Sequence, residues 1–144
     1  MRYDPRLVQP MRDELTRIGF EELTTPEAVD TTLTASTGTV LVVVNSVCGC
    51  AAGRARPGIT LALNEGPRPD RLTTVFAGMD TEATERARTH FVGYGPSSPS
   101  IALFKDGAMV HMMERRDIEG RDAAQIAEVL RGAFAQHCAP ARAA

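Results

Sequence analysis

The pattern of hydrophobic and polar positions in the first part of the chain predicts two helices. Apolar side chains recur at helical spacing in the first of them, at Leu7, Met11, Leu15 and Ile18. Asp4 followed by Pro5 is a favourable helix start, and Gly19 is expected to end this helix. Pro10 either kinks the helix or marks the point where its regular part begins. A second helix is predicted over residues 25–35.

The strongest strand signal is the unbroken apolar run over residues 40–44, which predicts a strand over residues 39–44. Because its apolar residues do not alternate with polar ones, we expect this strand to be buried on both faces, as in a parallel sheet. Shorter apolar segments predict further strands over residues 20–23, 72–76, 101–104 and 108–113. Asp106 and Gly107 favour the positive φ of a tight turn, so the last two strands are expected to form an antiparallel hairpin.

The remaining segments predict three more helices, which complete an α/β fold. They cover residues 51–63, 81–91 and 122–136. Pro57 and Gly58 are expected to break or kink the first, and Asp80 is a candidate cap for the second. Asp122 with Gln125 resembles a capping box at the start of the third. Alternating strands and helices predict parallel strands with right-handed crossovers, and the hairpin makes the result a mixed β-sheet flanked by helices on both faces.

Size and composition indicate one globular domain. The chain has 144 residues, a net charge of -2 and a pI of about 5.9, which argues against general nucleic-acid binding. It lacks an apolar stretch of about 18 residues, so we expect no membrane-spanning helix. Residues 1–5 lack the apolar core of a signal peptide. We therefore expect a cytoplasmic protein with one domain over residues 1–138 and a flexible tail over residues 139–144.

Two of the three cysteines lie one residue apart, between the apolar strand and the next predicted helix. A cysteine at a helix N-terminus faces unpaired N–H groups and the positive end of the helix dipole, which lower its pKa. We predict that Cys48, just outside the first turn, is the nucleophile and that Cys50, within the turn, is its resolving partner. Gly49 allows the turn between them and leaves Cys48 uncrowded. Arg54 and Arg56 add positive potential if the helix turns them toward the thiols.

The single residue between the two cysteines restricts the disulfide that they can form. A disulfide prefers a defined Cα separation and a dihedral near a right angle, which a ring closed over one residue reaches only with strain. A strained disulfide is easier to reduce and is therefore more oxidising. This spacing suits an enzyme that exchanges or isomerises disulfides better than a strong reductant.

Two further uses of the cysteines are open at this point. They can be small buried packing residues, as free cysteines often are. They can also bind a soft metal, but the additional ligand candidates are distant in sequence and show no ligand spacing to the pair: His90, His111, His137 and Cys138. We expect a role other than metal binding for each histidine and a packing role for Cys138. For Cys138 an extra resolving thiol is the alternative.

A third alternative is the C-x5-R pattern formed by Cys48 and Arg54, which occurs in the phosphate-binding loop of tyrosine phosphatases and arsenate reductases. In that chemistry the cysteine attacks the phosphorus atom, and the arginine and backbone N–H groups hold the oxyanion. Ala55 stands where those enzymes usually have a hydroxyl residue, and Cys50 occupies a position in the cradle. The match is therefore weak.

Several separated segments together carry a resemblance to a known family. A paired-thiol helix start, a later loop with a proline before a strand, a Lys-Asp-Gly hairpin and a final helix resemble the thioredoxin fold. Four segments resemble the bacilliredoxin family in particular: residues 44–53, 75–78, 97–103 and 118–121. The resemblance covers nearly the whole chain, and a terminal cysteine like Cys138 also occurs in that family.

The resemblance implies a thioredoxin-like fold and removal of bacillithiol from S-bacillithiolated client proteins, with weak disulfide isomerase activity. It implies that Pro99 follows a cis peptide bond, packs beside the thiols and lines the groove for the client; sequence alone favours trans. The expected partners are S-thiolated proteins and bacillithiol as co-substrate. No bound cofactor, metal, nucleic acid or membrane is expected.

Overall fold

The computed structural model describes residues 2–35 and 37–139. They contain a five-stranded mixed sheet. Its strands are β1 Glu21–Glu22, β2 Thr39–Asn45, β3 Arg71–Phe76, β4 Ser100–Lys105 and β5 Ala108–Met113, in the order β1-β3-β2-β4-β5. β1, β3 and β2 are parallel, whereas β4 is antiparallel to β2 and β5 is antiparallel to β4. The predicted mixed sheet is therefore confirmed.

Helices cover both faces of this sheet. They are α1 Pro5–Thr16, α2 Pro26–Leu33, α3 Arg56–Ala62, α4 Thr81–Thr89, α5 Arg115–Glu119 and α6 Ala123–His137, with a π-helical segment Ala51–Ala55 leading into α3. One hydrophobic cluster joins the sheet to α1, α3 and α6, and a second joins the opposite face to α2 and α4. Among the described residues, no helix is long and apolar enough to cross a membrane.

The central strand β2 is buried along its whole length, as its composition predicts. Leu41 and Val43 belong to the cluster on the α3 and α6 side, and Val42 and Val44 to the cluster on the α2 and α4 side. The apolar run is thus explained by a strand with helices on both sides. The tight turn after β4 is also confirmed, because Asp106 has a φ of 51° and Gly107 a φ of 85°.

The helix starts are partly as predicted. The Asp4 side chain accepts a hydrogen bond from the Arg6 N–H, and α1 runs through Pro10, so its regular part does not begin at that proline. The capping box at α6 is present. Asp80 is the N-cap residue of α4, as predicted, but its side chain makes no capping hydrogen bond. Its carboxylate instead pairs with Arg12, at 2.9 Å and 3.0 Å.

The segment after the cysteines differs from the broken helix that was predicted. Pro57 lies in the first turn of α3, where its missing N–H costs little. Gly58 lies where α3 meets α6: a Cβ built there would stand 2.7 Å from Cγ2 of Ile126. Both residues therefore belong inside the helical segment. The tail predicted from residue 139 falls, except for Ala139, outside the described residues.

Candidate active site

The two neighbouring cysteines lie where β2 ends and the helical segment begins. The carbonyl of Cys48 accepts hydrogen bonds from the N–H groups of Ala51 and Ala52, at 3.0 Å and 3.2 Å. Cys48 is therefore just outside the first turn and Cys50 within it, as predicted. Both thiols are free and half-buried, and Gly49 between them is exposed.

The surroundings of Cys48 favour its thiolate. Burial is the largest single influence and raises its pKa. It is outweighed by hydrogen bonds from the Ser46 hydroxyl and from the N–H groups of Ala51 and Cys50, together with the positive charge of Arg115. The net effect is a Cys48 pKa below the ordinary value for cysteine.

Cys50 is affected in the opposite direction. Burial raises the pKa of its thiol, and the negative charges of Cys48 and Glu119 raise it further. A hydrogen bond between the two cysteine side chains also raises the Cys50 pKa. The two pKa values are therefore shifted in opposite directions, so Cys48 loses its proton more readily than Cys50, which is the order that an attacking and a resolving cysteine need.

Neither Arg54 nor Arg56 supplies the positive charge that acts on the Cys48 thiol. The Arg54 Nη1 donates to the carbonyl of Arg121 at 2.6 Å, and Arg56 is buried beneath the loop. The cation that acts on Cys48 is instead Arg115. The groove that contains Cys48 is lined by Arg88 and Arg115 rather than Arg54, so the phosphatase-type arrangement is not supported.

Arg56 holds the loop that carries Cys48. Its side chain is only 3% exposed, and its Nε donates to Glu14 at 2.9 Å. Its Nη1 donates to the Asn45 side-chain oxygen and to the Ser46 carbonyl, both at 2.9 Å. The hydroxyl of Ser46 in turn accepts a bond from the Cys48 N–H at 3.3 Å. A buried guanidinium thus links α1 and the end of β2 to the nucleophile, a positioning role that the sequence did not reveal.

Pro99 lies at the same end of the sheet as the cysteines. The Ser98-Pro99 peptide bond is cis, as the resemblance implies, and Pro99 is buried. Ser100, the next residue, pairs in register with Val44 near the end of β2. Ser98 and Cys48 line one groove of about 360 Å³. The proline loop and the thiols are thus brought together although 49 positions separate Pro99 from Cys50 in the sequence.

Two arginines that line this groove, Arg88 and Arg115, were not predicted from the sequence. Arg88 comes from α4 and Arg115 from α5, and they contact the proline loop at the carbonyls of Ser97 and Ser98, each at 3.4 Å. Arg88 directly follows the buried Ala87, and this position beside a buried helix face was the one available signal. No sequence signal pointed to Arg115, because helix α5 was not predicted.

Cys138 lies at the opposite end of the molecule from the neighbouring cysteines. It is 8% exposed, packs in the cluster with α6, and its thiol hydrogen-bonds Thr39 at the start of β2. Cys48 follows the end of that strand, and seven residues at about 3.3 Å each put the two ends roughly 20 Å apart. The packing role is confirmed. Direct resolution of Cys48 by Cys138 within one fold is excluded by this distance.

The histidines do not assemble a metal site with the cysteines. His90 pairs with Asp30 at 2.9 Å, His111 lies in β5 and His137 ends α6. Across residues 2–35 and 37–139, no group of three or more histidine, cysteine or acidic side chains is placed to hold a metal ion. The metal-binding alternative therefore gains no support from this part of the chain.

A mixed sheet of this order, with paired thiols at a helix start and a cis-proline loop beside them, defines a thioredoxin-like thiol–disulfide oxidoreductase. Solved structures agree on the fold. Thioredoxin from Malassezia sympodialis aligns with a TM-score of 0.53 at 15% identity, covering 82% of this chain and 92% of its own. Oxidised thioredoxin O2 from Arabidopsis thaliana gives 0.52 at 16%, covering 82% and 96%.

The chain belongs to the bacilliredoxin family, whose model, described as disulphide isomerase, matches residues 3–138. A bacilliredoxin of Koribacter versatilis is 55% identical over 136 residues, covering 94% of both chains. One from Halalkalibacterium halodurans is 54% identical over 132 residues, covering 92% of this chain and 90% of the relative. These matches extend across the site and the fold alike.

Proposed function

We propose that this oxidoreductase removes bacillithiol from S-bacillithiolated client proteins, with Cys48 as nucleophile and Cys50 as resolving thiol. The observation that carries the proposal is the placement of two free thiols one residue apart at a helix start, with Cys48 in a groove, and the opposite pKa shifts of the two thiols support it. The name bacilliredoxin, shared by close relatives, supports bacillithiol as the small thiol. The activity belongs in a reducing compartment such as the cytoplasm, because recycling consumes a low-molecular-weight thiol.

In the first step, the Cys48 thiolate attacks the bacillithiol sulfur of the mixed disulfide on the client. The bond between the client sulfur and the bacillithiol sulfur breaks, and a bond between Cys48 and bacillithiol forms. The client leaves as a thiolate, which then takes a proton from solvent. Cys48 is oxidised as the client cysteine is reduced, so the step needs no other oxidant or reductant.

In the second step, Cys50 loses its proton and attacks Cys48. Bacillithiol leaves as a thiolate, and an internal Cys48–Cys50 disulfide remains. The alternative is direct attack on the adduct by a second bacillithiol, which yields the bacillithiol disulfide and returns Cys48. Once Cys48 carries the adduct its negative charge is gone, which removes one of the influences that keep the Cys50 pKa high.

We assign Pro99 to the wall of the groove against which the client backbone lies. Pro99 is buried, so it holds in place the Ser98 that precedes it in this wall. Ser98 beside it lines the same groove as Cys48, which brings a bound client segment to the attacking sulfur.

De-thiolation of one model client carrying either bacillithiol or glutathione tests this function. We expect release from both adducts, faster from bacillithiol, and loss of both activities in Cys48→Ser. Cys138→Ser is the matched control and should retain activity, because Cys138 is remote from the groove. Equal rates for the two adducts would indicate general disulfide exchange and contradict a function specific for bacillithiol. No release from either would reject the proposal.

Disulfide isomerase activity is a second candidate, favoured by the description of the matching family. Isomerisation requires attack by Cys48 on a client disulfide and return of the client's own thiol, so Cys50 is dispensable. Refolding of a client with scrambled disulfides should therefore persist in Cys50→Ser and stop in Cys48→Ser. Absence of refolding by the unaltered chain would reject this activity.

A further inference from the structure

We propose that the groove beside Cys48 binds the carboxylate of an anionic low-molecular-weight thiol, with Arg88 as its main contact and Arg115 as a second cation. The inference rests on the proposed function and names the chemistry by which the small-thiol half of the substrate is recognised. The exchange at sulfur is the one already described, and the carboxylate remains chemically unchanged.

Arg88 carries a charge that the described residues leave poorly satisfied. Its Nε is buried without a hydrogen-bond partner among them. Its Nη2 makes one long contact, 3.4 Å to the Ser97 carbonyl, and the ion pairs between described residues do not include it. Burial lowers the Arg88 pKa, and only the charge of Glu85 acts against this. A partly buried cation in this state favours an anion from outside the fold.

Arg115 adds to the positive character of the groove. Its charge acts on both Cys48 and Cys50, and its Nη1 lies 3.4 Å from the Ser98 carbonyl. Its Nε pairs with Glu119 one helical turn later, which neutralises part of its charge. Among the described residues, neither aspartate nor glutamate lines the groove. Arg88 is therefore the stronger candidate for direct contact with the ligand.

The shape of a guanidinium suits this ligand. Its planar donors bind a carboxylate through two parallel hydrogen bonds, which a lysine cannot reproduce. A groove of about 360 Å³ is near the lower end of small-ligand sites, which fits a small thiol conjugate. A small thiol joined to Cys48 would have its carboxylate a few bonds from the sulfur, within the same groove as Arg88.

A set of three adducts on one client cysteine isolates the effect of charge. The adducts are those of 3-mercaptopropionate, 2-mercaptoethanol and cysteamine, which are anionic, neutral and cationic. The second-order rate of release is measured for each and divided by the rate with a free non-protein thiol at the same pH. This division removes differences in intrinsic reactivity, so the remaining preference belongs to the protein.

We expect the unaltered chain to prefer the anionic over the cationic adduct by about tenfold, the scale of one charge-assisted hydrogen-bonded pair. Arg88→Gln should lose most of this preference, and Arg88→Lys should retain part of it. Arg116→Gln is the matched control: it removes the same charge from the neighbouring helix, at a side chain that is 83% exposed and lines a different pocket. It should keep the full preference.

The preference is a ratio of rates within one preparation, so it does not depend on the fraction of a variant that folds. Equal loss of all three rates in Arg88→Gln, with the ratio unchanged, would assign Arg88 to structure and overturn the inference. Release of all three adducts without regard to charge would also overturn it but leave the proposed function intact. Release of none by the unaltered chain would reject the function itself, and the inference with it.

Discussion

At the scale of residues, two thiols of the same type are given different chemistry by their neighbours. Hydrogen bonds from Ser46 and from helical N–H groups lower the pKa of Cys48. Burial and the negative charges of Cys48 and Glu119 raise the pKa of Cys50. The spacing of the cysteines and their position at a helix start allowed this asymmetry to be predicted. The cation that contributes to it could not be predicted, because Arg115 is 67 positions from Cys48 in sequence and reaches it only through the fold.

The first prediction concerns the pH dependence of Cys48 alkylation. Because only the thiolate reacts and the Cys48 pKa is lowered, its alkylation rate should reach half its maximum below about pH 8.5, the value for an unperturbed cysteine. Arg115→Gln removes a stabilising positive charge, so its midpoint should move to higher pH. Rates are measured by mass spectrometry of the peptide that contains Cys48.

Arg116→Gln is again the control, since its charge is exposed on the same short helix and pairs with Glu114. Its profile should match that of the unaltered chain. A midpoint at or above 8.5 in the unaltered chain would contradict the account of an activated nucleophile. An unchanged midpoint in Arg115→Gln would remove Arg115 from that account.

At the scale of elements, hydrophobic periodicity and turn residues predicted the longer helices and strands. The short helix α5 and the hydrogen bonds of Asp80 depend on tertiary contacts. β2 and α6 were visible because long apolar patterns and a capping box mark them. α5 was missed because its five residues, Arg115–Glu119, contain one apolar side chain and no helical period. The type and position of Asp80 predict a cap, and Asp80 does occupy the N-cap of α4, but its carboxylate pairs with Arg12 from α1 instead of with the helix N–H groups.

A prediction at this scale tests how closely α3 packs against α6. In Gly58→Ala the added Cβ would stand 2.7 Å from the Ile126 side chain and 3.0 Å from the Ala123 carbonyl, so the helices must move apart. We expect a loss of about 1–3 kcal/mol in the free energy of unfolding, measured by urea denaturation.

Gly132→Ala in α6 is the matched control, since the added Cβ has no neighbour within 4 Å among the described residues. It should raise the free energy of unfolding by about 0.5–1 kcal/mol, because alanine is the better helix former. A Gly58→Ala variant as stable as the unaltered chain would show that α3 and α6 do not need their close approach.

At the scale of the whole molecule, the sheet order places the parts of the site together. β2 ends at the thiols and β4 begins beside them with Pro99, while Cys138 is fixed at the other end of β2. A recognisable fold allowed Cys48, Cys50 and Pro99 to be predicted, because they belong to its shared framework. The roles of Arg88 and Arg56 could not be predicted, because an arginine is expected to be solvated until the fold places it in a groove or beneath a loop.

The central claim, that Cys48 takes the small thiol from the client and Cys50 then displaces it, is tested most directly by intact mass spectrometry of two single variants. Each is incubated with a client that carries bacillithiol on one cysteine. The account predicts that Cys50→Ser gains the mass of one bacillithiol, located on Cys48, while Cys48→Ser remains unmodified. An adduct that accumulates on Cys48→Ser, with none on Cys50→Ser, would contradict the account.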